Sequence, residues 1–217
     1  MASRTQPISI FNDVLGPVMR GPSSSHTAAS FHIGTLARGL LGEPVTEATF
    51  AFDAHGSFGQ VFRQQASDLA FATGLMGWSI TDERFPQALQ VAKDQGLRVD
   101  FRVTDLPDVD HPNVVDIDMR GQEGARFQAR AKSIGGGAVV FTELNGWPVR
   151  LTGDAHEVLL VTSPDRLPGA REILIQGGET LGEPAVVARG DAVLLHVRRG
   201  TPLAEERRAA LADAGEV

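Results

Sequence analysis

Five side chains able to hydrogen-bond or carry a proton stand side by side at Ser23-Ser24-Ser25-His26-Thr27, directly after the Gly21-Pro22 turn. They put hydroxyls, an imidazole and the N–H groups of a following helix into one small volume, a combination that suits a carboxylate. Taken alone, the string reads more readily as a serine-rich helix N-cap with His26 as a satisfied surface residue. Two other groupings invite chemistry. His111-Pro-Asn113 either lends side chains to a site or makes a turn in which Asn113 bonds its own backbone. Ser133-Ile-Gly-Gly-Gly137 either lets backbone approach a ligand or partner chain closely, or marks a sharp bend or bulge. Gly56 and Phe58 read as structural and His32 as a half-buried helix residue. His156 and His196 fall in a second module and are expected to take no catalytic part.

Regular elements must position these groups. An apolar segment over 8–18 predicts a short helix ended by Gly16-Pro17 and Gly21-Pro22. Phe31, Ile33, Leu36, Leu40 and Leu41 recur at helical spacing and predict a helix over 28–41, entered from the Ser-Ser-Ser-His-Thr loop. A strand over 45–52, closed by Asp53-Ala-His55-Gly56, precedes helices over 65–76 and 86–95. Strands are expected over 97–103, 114–119, 125–132 and 138–144, the middle pair joined as a hairpin and Asn145-Gly146 forming a tight turn. From about residue 157 the period restarts as strand 157–162, helix 168–176, strands 185–189 and 192–197, and helix 203–214.

The chain has 217 residues, 42% hydrophobic and 22% charged, enough for two modest domains of α+β type. A net charge of −7 argues against nucleic acid, and no apolar run approaches the ~20 residues of a membrane helix. The first residues lack the apolar core of a secretory signal, so a cytoplasmic location is expected. There is no cysteine, which excludes disulfides, thiolate nucleophiles and cysteine-ligated metal; any iron-sulfur cluster would have to be held by another chain. Tyrosine is absent too, leaving Ser, Thr, His, Asp, Glu, Lys and backbone groups for chemistry.

The string from Ile10 through Asn12-Asp13, Gly16-Pro17 and Gly21-Pro-Ser-Ser-Ser-His-Thr27 closely resembles the opening of the β chain, or β domain, of iron-sulfur-dependent L-serine dehydratases. Gly56-Ser-Phe58, His111-Pro-Asn113 and Ser133-Ile-Gly-Gly-Gly137 resemble further segments of that family in the same order, over roughly residues 8–147. The resemblance implies a family that eliminates water from serine to give aminoacrylate, which decays to pyruvate and ammonia. It implies a cysteine-bearing α subunit as partner, which carries a four-iron cluster acting as a Lewis acid, and a β part that closes over that site. Carried over, His26 and Ser25 are the catalytic candidates, with His26 positioning substrate or shuttling a proton. Ser23, Ser24, Ser25, Thr27, His111, Asn113, Ser133, Gly135 and Gly136 are the substrate-binding candidates.

The resemblance implies a serine-dehydratase β-like domain, of the allosteric-substrate-binding type, over 1–152. The βαββα order over 153–217 resembles a small ACT-type module lacking its last strand, with a docking or dimer-forming role. One departure stands in the first domain. Where the family carries Gly-His-Gly-Thr-Asp, this chain reads Gln64-Gln-Ala-Ser-Asp68, so only the aspartate is shared. A missing imidazole and two missing glycines imply a differently shaped pocket wall, widening the expected substrate to L-serine or a related hydroxy or β-substituted acid. Two functions follow: a dehydratase subunit inactive alone, or a regulatory module that binds a small carboxylate without catalysis.

Overall fold

A computed structural model describes residues 20–176, 180–212 and 215. The helix expected over 8–18 lies outside them. The protein is mixed α and β, and its contacts divide it into two compact units, residues 1–145 and 146–217. Among the described residues no helix is long and apolar enough to cross a membrane.

Helix α1 (Ala29–Leu41) leads into β1 (Val45–Asp53), followed by a short helix α2 (Ser57–Val61), α3 (Ser67–Leu75) and α4 (Ala88–Asp94). Strands β2 (Arg98–Thr104), β3 (Val114–Gly121), β4 (Arg126–Gly135), β5 (Ala138–Leu144) and β6 (Trp147–Leu151) follow. They form one sheet in the order β2-β1-β3-β4-β5-β6. β1 pairs parallel with β2 and antiparallel with β3, and β3–β4–β5 is an antiparallel meander. The register puts Phe52, Val115 and Ala131 in one cross-strand row and Phe50, Ile117 and Ala129 in the next, all buried. Strand alternation sends the intervening residues to the opposite face. There Arg130 grips Asp116 with two bonds of 2.6 and 2.8 Å, and Lys132 Nζ reaches Asp110 at 2.6 Å. The apolar face is filled largely by phenylalanine: Phe71 stacks on Phe50 at 4.1 Å, and Phe58 and Phe62 lie 5.4 and 5.0 Å from Phe52.

α1 and α3 pack side by side in the same direction, so closely that backbone meets backbone. A Cβ on Gly34 would lie 2.7 Å from the Phe71 carbonyl oxygen, and one on Gly74 would lie 2.5 Å from the Phe31 carbonyl oxygen. Neither position has room for a side chain, because the obstacle in each case is main chain rather than a flexible tip.

The second unit contains β7 (His156–Thr162), α5 (Leu167–Ile175), β8 (Ala185–Arg189), β9 (Ala192–Arg199) and α6 (Glu205–Ala212). Its sheet is antiparallel in the order β7-β9-β8. Val158 and Leu160 of β7 and Leu195 and Val197 of β9 form a core with Ala170 and Leu174 of α5 and Leu211 of α6. On the alternate positions, His196 meets Glu157 at 2.7 Å and Arg198 meets Asp154 at 2.7 Å.

The observed elements depart from the expected ones in three places, each for a local reason. α2 has only five residues, too few for a hydrophobic period. β6 escapes notice because Pro148 removes a ladder donor, which an edge strand tolerates. The Ser133–Gly137 segment does not interrupt the strand pattern: β4 runs through Ser133 to Gly135 with a register shift, and the chain reverses at Gly136-Gly137. Gly135, Gly136 and Gly137 all have positive φ, at 99, 63 and 84°. A Cβ on Gly135 or Gly136 would meet nothing in this chain, so within the fold it is the positive φ of the bend that calls for glycine there.

The α1–α3 contact makes a paired prediction. Gly74→Ala should lower the unfolding free energy by about 1–3 kcal/mol through overpacking. Gly39→Ala, inside α1 with open space around it, should raise it by about 0.5–1 kcal/mol. Urea unfolding of the two variants measures both, and equal effects would contradict the packing described.

Candidate active site

The chain enters the site in a left-handed conformation at Gly21, where φ is 88°; a Cβ there would lie 2.6 Å from the Thr27 side chain. Ser23 is extended, and its hydroxyl accepts from the His26 N–H at 3.2 Å. The Ser23 carbonyl accepts from the Thr27 N–H at 2.9 Å and from the Ala28 N–H at 3.3 Å, the second bond closing a π turn over Ser24–Ala28 that runs straight into α1. Ser23 is thus the N-cap, as the plainer reading of the string expects. The other half of that reading fails, because His26 is only 8% exposed and is no surface residue.

Both nitrogens of the buried imidazole have hydroxyl partners. Nδ1 lies 3.2 Å from the Ser23 and Ser25 hydroxyls, and Nε2 lies 3.0 Å from the Ser57 hydroxyl. The ring stands edge-on to Phe58 with centroids 5.2 Å apart. Burial holds the His26 pKa below that of an ordinary imidazole, while a backbone hydrogen bond at Ser57 pulls weakly the other way. The neutral ring therefore prevails near pH 7, with one nitrogen able to accept a proton.

Thr27 is fully buried and donates its hydroxyl to the Gln65 carbonyl at 2.7 Å. That bond ties the start of α1 to the turn before α3, the stretch where the resembled family carries its Gly-His-Gly-Thr-Asp string. Ala66 stands at the string's second glycine, with φ 54° and ψ 29°. A left-handed alanine is strained by roughly 1–2 kcal/mol, so the turn keeps the glycine's conformation without the glycine.

The remaining motifs are stitched to His26 by a hydrogen-bonded circuit. Ser57 leads to Phe58, whose N–H points at the Pro112 carbonyl at 3.5 Å, and a Cβ on Gly56 would lie 2.6 Å from the same oxygen. His111 Nδ1 accepts from the Asn113 N–H at 3.1 Å, so the histidine rather than the asparagine side chain closes that turn. The Asn113 carbonyl accepts from the Ser133 N–H at 3.1 Å, and His32 Nδ1 donates to the Gly137 carbonyl at 2.8 Å, returning the circuit to α1. Ser24 and Ser25 are partly exposed, Gly135 and Gly136 are exposed, and Ser133 is fully buried. Ser30, Ser67, Asn113 and Ser133 each bury a side-chain oxygen with no protein partner. Such orphans cost about 1–3 kcal/mol apiece, and a polar site is where they are tolerated.

Two contributors escape inspection of the sequence. Ser57 sits in the Gly-Ser-Phe turn between two residues whose structural roles are evident, and only its hydroxyl hints at more. Asp53, buried at the end of β1, accepts from the His55 N–H at 3.0 Å and the Leu106 N–H at 3.4 Å, fixing the turn that presents Ser57. Among the described residues no group of three or more His, Asp or Glu could hold a metal ion.

A buried, hydroxyl-flanked imidazole at a helix start is thus joined by hydrogen bonds to the three other motifs. Comparison with known proteins gives the class. The chain is 36% identical to the probable L-serine dehydratase β chain of Bacillus subtilis (strain 168) over 180 residues, which is 82% of this chain and 80% of that one. It is 34% identical to the L-serine dehydratase β chain of Peptoniphilus asaccharolyticus over 148 residues, 68% of this chain and 66% of that one. No family model matches. The chain belongs to the L-serine dehydratase β-chain family.

Two predictions follow from this geometry. The His26 ring should titrate below the ordinary histidine value of about 6.5 when followed by NMR. With a folded-state pKa below the unfolded one, its contribution to stability is complete above about pH 6.5 and is lost as pH falls through the folded-state value. Stability independent of pH in that window for the wild type, with the same profile for His26→Ala, would contradict this. Ala66→Gly should stabilise the chain by about 0.5–1 kcal/mol in urea unfolding by releasing the left-handed strain.

Proposed function

We propose that this chain is the β subunit of a heteromeric L-serine-dehydratase-type lyase acting on L-serine or a related hydroxy or β-substituted acid. The observation that carries the reading is the buried His26, hydroxyl-flanked on both nitrogens, in a chain of the L-serine dehydratase β-chain family. The partner is a cysteine-bearing α subunit, and the complex works in the cytoplasm. Residues 1–152 form the serine-dehydratase β-like domain, and 153–217 an ACT-like module that serves docking or dimer formation.

An iron-sulfur cluster does not fit this chain, which has no cysteine. The reading therefore assigns any cluster to the α subunit and derives no step of this chain's chemistry through it. What this chain supplies is binding and proton handling. The partly exposed Ser24 and Ser25 hydroxyls, at the positive end of α1, hold the substrate carboxylate. Thr27, with its proton spent on Gln65, buttresses the loop from behind. His26 positions the substrate or takes a proton as a neutral imidazole, a role its lowered pKa suits. His111, Asn113, Ser133, Gly135 and Gly136 complete the wall, the orphaned Asn113 and Ser133 oxygens being its unsatisfied acceptors. Gln64-Gln65-Ala66 replaces the family's histidine and glycines, and this difference is why the substrate is stated as a class.

Co-expression with a candidate cysteine-bearing α chain, followed by anaerobic reconstitution, tests the reading. The two chains should co-purify and release a keto acid and ammonia from L-serine or a close analogue, with His26→Ala lowering kcat about 100-fold or more. Failure to co-purify, or no activity across a panel of hydroxy and β-substituted acids, would overturn it. Carboxylate binding by this chain alone, abolished by Ser25→Ala with His26→Ala, would then point to the regulatory role instead.

A further inference from the structure

The two sides of the His26 ring are not equivalent. On the Nδ1 side, Ser23 caps the π turn and Ser25 lies on it, both partly exposed, as Ser57 is on the other side. The Ser23 oxygen already accepts the His26 N–H, so its own proton is available to donate, and the Ser25 hydroxyl lies 3.2 Å from both Ser23 Oγ and Nδ1. The arrangement satisfies every atom when Ser23 donates to Ser25 and Ser25 donates to a bare Nδ1.

On the Nε2 side the Ser57 hydroxyl lies at 3.0 Å. Ser57 is held from several directions. It opens α2, directly after Gly56, whose N–H donates to the Asp53 carbonyl at 3.1 Å and whose missing Cβ leaves the Pro112 carbonyl just enough room. The next N–H, of Phe58, points at that same Pro112 oxygen, and the Asp53 carboxylate pins the turn from below. A Cβ on Gly59 would also collide with the Asp53 carbonyl, so α2 is pressed against the end of β1. Backbone fixed in this way makes the Ser57 hydroxyl an orienting group, and the Ser23–Ser25 side, with two mutually bonded hydroxyls, is where a ligand can exchange hydrogen bonds with the ring.

We propose that Ser57 is a positioning residue for His26: by accepting the Nε2 proton it holds the neutral ring as the Nε2–H tautomer and keeps Nδ1 as the proton-accepting atom facing the Ser23–Ser25 side. The inference deepens the reading of His26 given above and rests on it for its catalytic consequence, but not for the tautomer. A step that uses it moves the substrate Cα proton to Nδ1 while the electron pair of that C–H bond forms the Cα–Cβ double bond and the β-hydroxyl departs. The ring becomes imidazolium, still donating through Nε2 to Ser57, and passes the Nδ1 proton to the departing hydroxide, which leaves as water.

Two measurements test it together. In the full-length chain, ¹⁵N NMR of the imidazoles should show His26 with a bare Nδ1 and a protonated Nε2 near pH 7. Ser57→Ala should shift His26 toward the Nδ1–H form, and Ser57→Thr, which keeps the hydroxyl, should restore the wild-type signals. In the reconstituted complex, Ser57→Ala should lower kcat about 10- to 100-fold with KM within about 2-fold, and Ser57→Thr should recover most of it. A wild-type Nδ1–H ring, or His26 signals indifferent to Ser57→Ala, would overturn the positioning role whatever the complex does. The expected NMR shift without a fall in kcat, in a complex active as wild type, would overturn its catalytic consequence. A wild-type complex without activity strikes the lyase reading itself and leaves the NMR result to decide the tautomer.

Discussion

An imidazole removed from water must find a partner for each ring nitrogen, and in this protein that requirement organises the first unit. Leaving either nitrogen bare would cost about 1–3 kcal/mol, a large fraction of a domain's stability. Three hydroxyls meet it, from Ser23, Ser25 and Ser57, and they come from chain segments more than thirty residues apart. The rest of the architecture brings those segments to one place. Gly34 and Gly74 let α1 and α3 touch, Thr27 locks the turn to Gln65, and the Asp53 carboxylate with Gly56 sets Ser57 at its height.

The same logic explains why the ordered motifs are spaced as they are. Gly56-Ser-Phe58, His111-Pro-Asn113 and Ser133-Ile-Gly-Gly-Gly137 are far apart in the chain, yet main-chain bonds join each to the next and His32 returns the circuit to α1. Such a circuit makes the site a property of backbone positions as well as side chains. Substituting Gly56 would therefore disturb Ser57 and Pro112 together, although neither would itself be changed.

How much of this could be read beforehand depended on range. α1, β1 and the β3–β4–β5 meander announce themselves through local periodicity, α3 through the glycines at its end, and Asn145-Gly146 through turn chemistry: both residues take positive φ, at 47 and 77°. The helix over 88–94 was legible too, though its first turn tightens to a 3-10 turn at Phe85–Gln87 around Pro86. What stayed hidden was nonlocal. Nothing in a run of polar residues says that His26 is buried, since Ser57 and Phe58, which meet its ring, lie more than thirty residues on. The role of Ser57 is hidden for the same reason, and Ala66 reveals itself only through its dihedral angles. In the second unit the βαββα order was legible because its core residues alternate along β7 and the C-terminal half of β9.

The account centres on one claim, that ligand chemistry takes place at the Ser24–His26 turn. The most direct measurement is chemical-shift mapping of the complex with its α subunit as L-serine, or the best substrate of the panel, is titrated in under anaerobic conditions. The account predicts that the largest substrate-dependent changes fall on Ser24, Ser25, the His26 ring and Ser57, with β7 to α6 little affected. Changes confined to the second unit, or absent from the His26 ring at saturation, would contradict it.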